Sequence, residues 1–169
     1  MKKIYIPLTK EQINRLKAGD EVLLTGTVYT ARDQAHSRLT GAKKQPFDIS
    51  GQVIYYCGPT KTPAGKIIGS CGPTTSSRMD AFTPALLAKG LRGMIGKGRR
   101  SQKVVDAIKK HKAVYFIAYA GCGALIAKYV KSAKLIAYKD LGPEAILRLH
   151  VQELPLIVAI DSRGRSIFK

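Results

Sequence analysis

Apolar positions along the chain alternate between the period of a strand and that of a helix, and the switches place the elements. Residues 21–29 alternate polar with apolar side chains and are rich in Val, Leu and Thr, which predicts a strand. Before it, Thr9-Lys10-Glu11-Gln12 has the form of a capping box and predicts a short helix to about Lys17, ended by Gly19-Asp20. After it, residues 32–39 predict a helix, so Arg32, Asp33 and His36 stand at a strand-to-helix junction, where open α/β sheets bind ligands. Residues 51–56 and 66–68 are β-like runs on either side of a loop, 57–65, too rich in Gly and Pro for regular structure. Gly69, Gly72 and Pro73 stop the second run, and Thr74 to Ser77 offer caps for a helix from about Ser76 towards Lys89.

From residue 91 strands and helices alternate. Strand 91–95, a Gly96-Lys97-Gly98 turn, helix 102–110, strand 113–118, helix 123–130 and strand 133–137 follow one another, which implies parallel pairing through crossovers. Residues 146–153 and 156–160 read as two further strands, with Asp161-Ser162-Arg163-Gly164 as a turn before 165–168. The expected fold is α/β with a mixed sheet. No internal repeat or linker divides the chain, so residues 1–169 are expected to form one domain.

Composition narrows the class. With 169 residues and 45% hydrophobic content the chain can bury a real core. No apolar run approaches the roughly 20 residues of a membrane span, and the apolar part of residues 1–7 is too short for a signal peptide, so a cytoplasmic protein is expected. Cys57, Cys71 and Cys122 are odd in number and widely spaced, which argues against a disulfide framework. Three cysteines would suffice for an iron–sulfur centre with one open position, but this spacing suits buried small side chains better.

Charge changes the picture more. The balance of 29 Lys+Arg against 11 Asp+Glu gives 29 − 11 = +18, which points first to a polyanion such as nucleic acid. The charges are nevertheless spread over 43–44, 97–100, 109–112 and 128–139, and an RNP-like aromatic motif, zinc spacing and a basic heptad region are all absent. An acidic partner subunit, an anionic substrate and a solvated basic surface stay open.

The densest candidate chemistry lies in residues 69–80, where hydroxyls, backbone amides and a guanidinium meet at a helix start, the makings of an anion site. Thr74 and Arg78 are four apart and share a face if the turn is helical. An ordinary capped helix accounts for the same residues. Gly96-Lys97-Gly98 lets backbone approach an anion beside an ammonium, although it lacks the Walker spacing and a simple turn lysine reads equally. His36, three after Asp33 and four after Arg32, can meet both on one helical face to orient a substrate or move a proton, against the alternative of an Asp paired within its own helix.

Taken together, Thr30-Ala31-Arg32-Asp33-Gln34-Ala35-His36, Tyr55-Tyr56-Cys57-Gly58-Pro59, Gly72-Pro73-Thr74-Thr75-Ser76-Ser77-Arg78-Met79-Asp80 and Gly96-Lys97-Gly98 resemble the β subunit of iron–sulfur hydro-lyases. These are the two-subunit class I fumarate hydratases and L(+)-tartrate dehydratases, whose single-chain relatives carry the same unit as a C-terminal half. The resemblance runs nearly end to end, through Ala120-Gly121-Cys122 and residues 156–161. It implies a swivelling β/β/α domain and reversible hydration of fumarate to L-malate, a tricarboxylic acid cycle reaction, with tartrate dehydration as the alternative. It implies a hetero-oligomer in which a partner α subunit binds a four-iron four-sulfur cluster whose open iron acts as Lewis acid, this chain supplying no metal ligand and being inactive alone. By the same resemblance Arg32, Arg78 and Lys97 hold the dicarboxylate and Thr74 is the base at the carbon beside a carboxylate; Asp33 and His36 stand as candidates for support on their spacing alone. Cations aimed at the aci-carboxylate that this proton loss creates stabilise the transition state more than the ground state. A threonine is a poor base at its free pKa, so the neighbouring Arg78 is expected to lower it. A nucleic-acid-binding module, resting on the +18 charge, and a cluster-free anion-binding protein are the competing classes.

Overall fold

The structure is a computed structural model that describes residues 1–168. Its strands are β1 (Lys2–Tyr5), β2 (Glu21–Thr30), β3 (Val53–Tyr55), β4 (Gly93–Gly96), β5 (Val114–Ile117), β6 (Val130–Ala137) and β7 (Ile146–Ile160). Its helices are α1 (Lys10–Arg15), α2 (Asp33–Gly41), α3 (Thr83–Ala88), α4 (Gln102–His111) and α5 (Gly123–Ala127), with 3-10 turns at Ser76–Met79 and Lys139–Glu144. None of the helices described is long and apolar enough to cross a membrane.

The sheet is mixed. β1 to β5 pair in chain order and in parallel. β7 is antiparallel to β5, β6 and β2. Pairing therefore returns on itself: Tyr29 opposes Ile54, Tyr55 opposes Ile95, Ile95 opposes Phe116, Phe116 opposes Val158, and Leu156 opposes Val22. Alternation along the strands divides the core between two faces. Val28, Val53, Tyr55, Ile95, Val114, Phe116 and Val158 enclose one cluster on the inner side of this ring. Ile54, Met94 and Tyr115 face a second, filled by Ala35 and Leu39 of α2, Leu86 and Leu87 of α3, and Val104 and Ile108 of α4. Each such Leu or Ile contributes about 1.5–3 kcal/mol when fully buried, which is what holds the helical layer against the sheet.

Local expectations hold where a short-range bond specifies them. Thr9 caps α1, its Oγ1 accepting from Gln12 N at 3.2 Å while Gln12 Oε1 accepts from Thr9 N at 2.9 Å. Other expectations are corrected. Residues 66–68 form no strand: the loop is closed by Thr60 N to Ser70 O at 2.9 Å and Ser70 N to Thr60 Oγ1 at 2.8 Å, and Ile68 is apolar because it plugs the inner core. The two terminal runs are one strand, β7, which stays paired with β2 at Leu154, Pro155 and Leu156. A bulge absorbs the irregularity, with Glu153 in the left-handed region at φ 52 and its N–H on Thr25 Oγ1 at 2.9 Å. α5 stops at Ala127 and Val130 already belongs to β6, while residues 165–168 contribute only a bridge between Ile160 and Ser166. β1, short and half lysine, is not announced by its residues; parallel pairing with β2 creates it.

Candidate active site

Because β2, β3, β4 and β5 are parallel, their carboxyl ends open on one edge of the sheet, and the predicted residues gather there. Arg32 follows β2 as the N-cap residue of α2, and Ala31 N on Tyr55 O at 3.0 Å ties it to the end of β3. Thr74 is fixed to the same end by its N–H on Tyr56 O at 2.7 Å. Thr75 then bridges in parallel to Lys97, which follows β4, with Ser76 N on Lys97 O at 2.9 Å. Gly96 permits this approach: a Cβ there would overlap Ser76 Oγ and meet the Tyr56 ring at 2.8 Å. The structure thus brings Arg32, Thr74 and Lys97 to the ends of three adjacent strands.

Arg32 has donors to spare. Its side chain lies over Gly58, where a Cβ would meet Arg32 Cδ at 2.9 Å. Its Nε is buried without a hydrogen-bond partner, and Glu144 Oε1 stands 3.9 Å away, an ion pair beyond hydrogen-bond reach. Lys97 is half-buried and joins no salt bridge among the described residues. Arg78 is committed differently: Nε and Nη2 donate to Asp33 Oδ1 and Oδ2 at 3.0 and 2.8 Å.

The continuous helix expected from Ser76 is a 3-10 turn, Ser76–Met79, and a separate α3 beginning at Thr83. Pro84 lacks the amide that would carry the helix back to Asp80, and Asp80 turns its carboxylate to Arg100 Nε and Ser101 N, both at 2.6 Å. Thr74 therefore precedes the helical residues and shares no helical face with Arg78.

His36 is also corrected. It is fully buried, its ring edge-on to Tyr56 at 5.2 Å, and its Nδ1 lies 2.8 Å from the Arg32 carbonyl rather than meeting Asp33. A carbonyl only accepts, so Nδ1 carries the proton and Nε2, buried without a partner, does not. Burial lowers its pKa to about 4. It is a neutral core histidine whose ring is bonded to the backbone carbonyl of Arg32.

Tyr115 and Arg100, not singled out in the sequence, brace the edge together with Ser76. Lys97 N donates to Ser76 Oγ at 3.0 Å, and Tyr115 Oη lies 2.8 Å from Ser76 Oγ and 2.9 Å from Gly98 O. Since Gly98 O can only accept, the chain runs from Lys97 N–H to Ser76, from Ser76 to Tyr115, and from Tyr115 to Gly98, with every member satisfied. Burial pushes the Tyr115 hydroxyl well above its ordinary pKa, keeping it protonated as this chain requires. Arg100 packs over the rings of Tyr115 and Tyr56 at 4.9 and 5.3 Å and donates to Thr83 Oγ1 at 2.7 Å. Tyr115 reads in the sequence as one more strand aromatic, and Arg100 as one of two adjacent arginines; only spatial contact distinguishes them.

The cysteines do not form a ligand set. Cys57 and Cys71 are sealed in the inner core, where the adjacent Cys71 thiol and burial push the Cys57 thiol up, and Cys122 sits apart at the start of α5. Among the described residues no three His, Cys, Asp or Glu side chains are grouped to hold a metal ion.

A family model described as Fumarase C-terminus matches residues 1–169. "Fumarate hydratase class I, anaerobic" of Escherichia coli (strain K12) is 38% identical over 164 residues, which cover 94% of this chain and 30% of that protein. "Fumarate hydratase 2" of Leishmania major is 34% identical over 169 residues, covering 96% of this chain and 30% of its own length. "Putative L(+)-tartrate dehydratase subunit beta" of Methanocaldococcus jannaschii is 38% identical over 179 residues, covering 100% of this chain and 92% of that protein. The chain spans about 30% of the fumarate hydratases, less than the half expected of single-chain relatives, and nearly all of the tartrate dehydratase subunit.

Proposed function

The chain belongs to the Fumarase C-terminus family, and on that premise we propose that it is the β subunit of a hydro-lyase that reversibly adds water to fumarate to give L-malate. The observation that carries this reading is a buried guanidinium donor without a partner, Arg32 Nε, on a sheet edge shared with Thr74 and Lys97. Arg32, Arg78 and Lys97 supply positive charge for a substrate with two carboxylates.

In the dehydration direction Thr74 Oγ, as its alkoxide, takes the proton from the carbon beside one carboxylate, the C–H electron pair forms the double bond as the C–O bond on the neighbouring carbon breaks, and the departing hydroxide recovers that proton to leave as water; hydration is the reverse. The charge that develops on the carboxylate meets Arg32 and Lys97, which are held before reaction and need no reorganisation during it. Lys97 is placed by the hydrogen-bonded chain through Ser76 and Tyr115, and Arg32 by its anchoring beside β3.

The donor set of this chain does not fit an iron–sulfur cluster, because two of its three cysteines are sealed in the core. We therefore assign the four-iron four-sulfur cluster to a partner α subunit in a cytoplasmic hetero-oligomer, with this chain inactive alone. L(+)-tartrate dehydration is the second reading, favoured by the near-complete coverage of the Methanocaldococcus jannaschii subunit.

The test is anaerobic co-expression with a cluster-bearing α chain and assay on fumarate, L-malate and L(+)-tartrate. Turnover of fumarate by the pair and by neither chain alone is expected, with Thr74→Ala lowering it at least about tenfold, about 1.4 kcal/mol. Turnover of tartrate alone would select the second reading. Near-wild-type rates in Thr74→Ala would remove Thr74 from the reaction.

A further inference from the structure

Arg78 reaches from the 3-10 turn to the first residue of α2 and grips Asp33 through one edge of its guanidinium, Nε and Nη2, at 3.0 and 2.8 Å. A guanidinium has five N–H donors in a planar fork, and this contact uses one from each of those two nitrogens. The second Nη2 hydrogen and both Nη1 hydrogens remain, and that Nη2 hydrogen with one of the Nη1 pair forms a complete second edge able to hold another carboxylate bidentately. Asp33 and a ligand carboxylate therefore do not compete; the first sets the plane and direction in which the second edge points.

Asp33 is suited to this because its own position is fixed. It opens α2, whose start is anchored by Ala31 N on Tyr55 O at 3.0 Å and His36 N on Arg32 O at 2.9 Å. Arg78, with its side chain 50% exposed, would otherwise be free to change rotamer in water. The residue before Asp33 is Arg32, with its unpartnered buried Nε, so one turn of backbone places one guanidinium and steers another.

We propose that Asp33 is a positioning residue that aims the free edge of Arg78 at a carboxylate of the substrate. This rests on the hydro-lyase reading. It involves no bond to carbon and no proton transfer; Asp33 acts only through Arg78.

A double-mutant cycle in the co-expressed complex tests it. Asp33→Asn, whose amide replaces one acceptor with a donor facing the fork, is expected to lower kcat/KM at least about tenfold. Asp33→Glu should restore part of the loss. In the Arg78→Ala background Asp33→Asn should change kcat/KM by less than about twofold, because the group it steers is gone. A further loss of tenfold there would mean that Asp33 acts on something else, and the proposal would fail. NMR of the isotope-labelled full chain gives a readout free of turnover. The Arg78 Nε–H signal should be protected from exchange, should lose protection in Asp33→Asn, and should keep it when succinate is added. Equal protection in both variants, or loss on adding succinate, would overturn the aiming role. A complex inactive on both fumarate and tartrate would overturn only the hydro-lyase reading, since the NMR result stands apart from it.

Discussion

Two arginine–aspartate pairs tie residues 76–80 to the rest of the chain, and what separates them is access to water. In the first, the Arg100 side chain is 0% exposed and that of Asp80 13%; in the second, Arg78 is 50% exposed and Asp33 32%. Arg100 spends its donors on Asp80, Thr83 and the faces of two tyrosines. Losing a partner there strands a charge in a low-dielectric core, where desolvation is costly. Arg78 can turn to water, so its pair adds little to stability and its remaining donors stay open to solvent. The same two side-chain types thus build the fold where they are sealed and are left available for the proposed site where they are open.

The sharpest way to break this contrast is to remove the sealed carboxylate. Asp80→Ala is expected to destabilise the chain by about 3–5 kcal/mol in denaturant unfolding; a loss below about 1 kcal/mol would mean that burial does not separate the pairs.

Acid probes the same sealed side through His36. Its folded pKa of about 4 lies below the unfolded value near 6.5. The unfolded chain therefore takes up a proton that the folded chain refuses. The stability His36 contributes is complete above about pH 6.5 and is lost as pH falls towards 4, by up to about 3 kcal/mol. His36→Gln should flatten that part of the stability-against-pH curve, and an unchanged slope would show that the ring is not buried neutral.

Tyr115→Phe removes one hydroxyl from the chain that holds Lys97. A loss of about 1–2 kcal/mol is expected, with faster amide exchange at Lys97; a neutral substitution would detach Tyr115 from the brace. The smallest stability effect belongs to the open pair. Arg78→Ala should cost less than about 1 kcal/mol of stability while lowering turnover of the assembled enzyme at least about tenfold. A large stability loss there would make Arg78 a second Arg100.

Legibility in the sequence follows the range of the interactions. The capping box of α1, the alternation of β2 and the α/β rhythm after residue 91 depend on neighbours a few residues apart, and all three are readable without coordinates. β1 and the continuity of β7 through Pro155 depend on partners far away in the chain. Residues 66–68 mislead because an apolar side chain looks alike whether it enters a ladder or plugs a core. At the site, Arg32, Thr74, Arg78 and Lys97 are nominated by motif, but their relation is not. Spacing puts Thr74 and Arg78 on one helical face, whereas Asp80 and Pro84 break the helix and Arg78 turns to a carboxylate 45 residues away. His36 likewise has the spacing of a partner for Asp33 and the surroundings of a core residue.

The residues alone determined which chemical groups are present, a basic α/β chain with arginines, a lysine and a threonine at strand ends, because periodicity and turn chemistry are local properties. Tertiary structure decided which of these groups remain free to act. Whether a guanidinium is spent or available depends on which carboxylates, rings and waters reach it, as Arg100, Arg78 and Arg32 show by being sealed, half-used and without a hydrogen bond at a buried Nε.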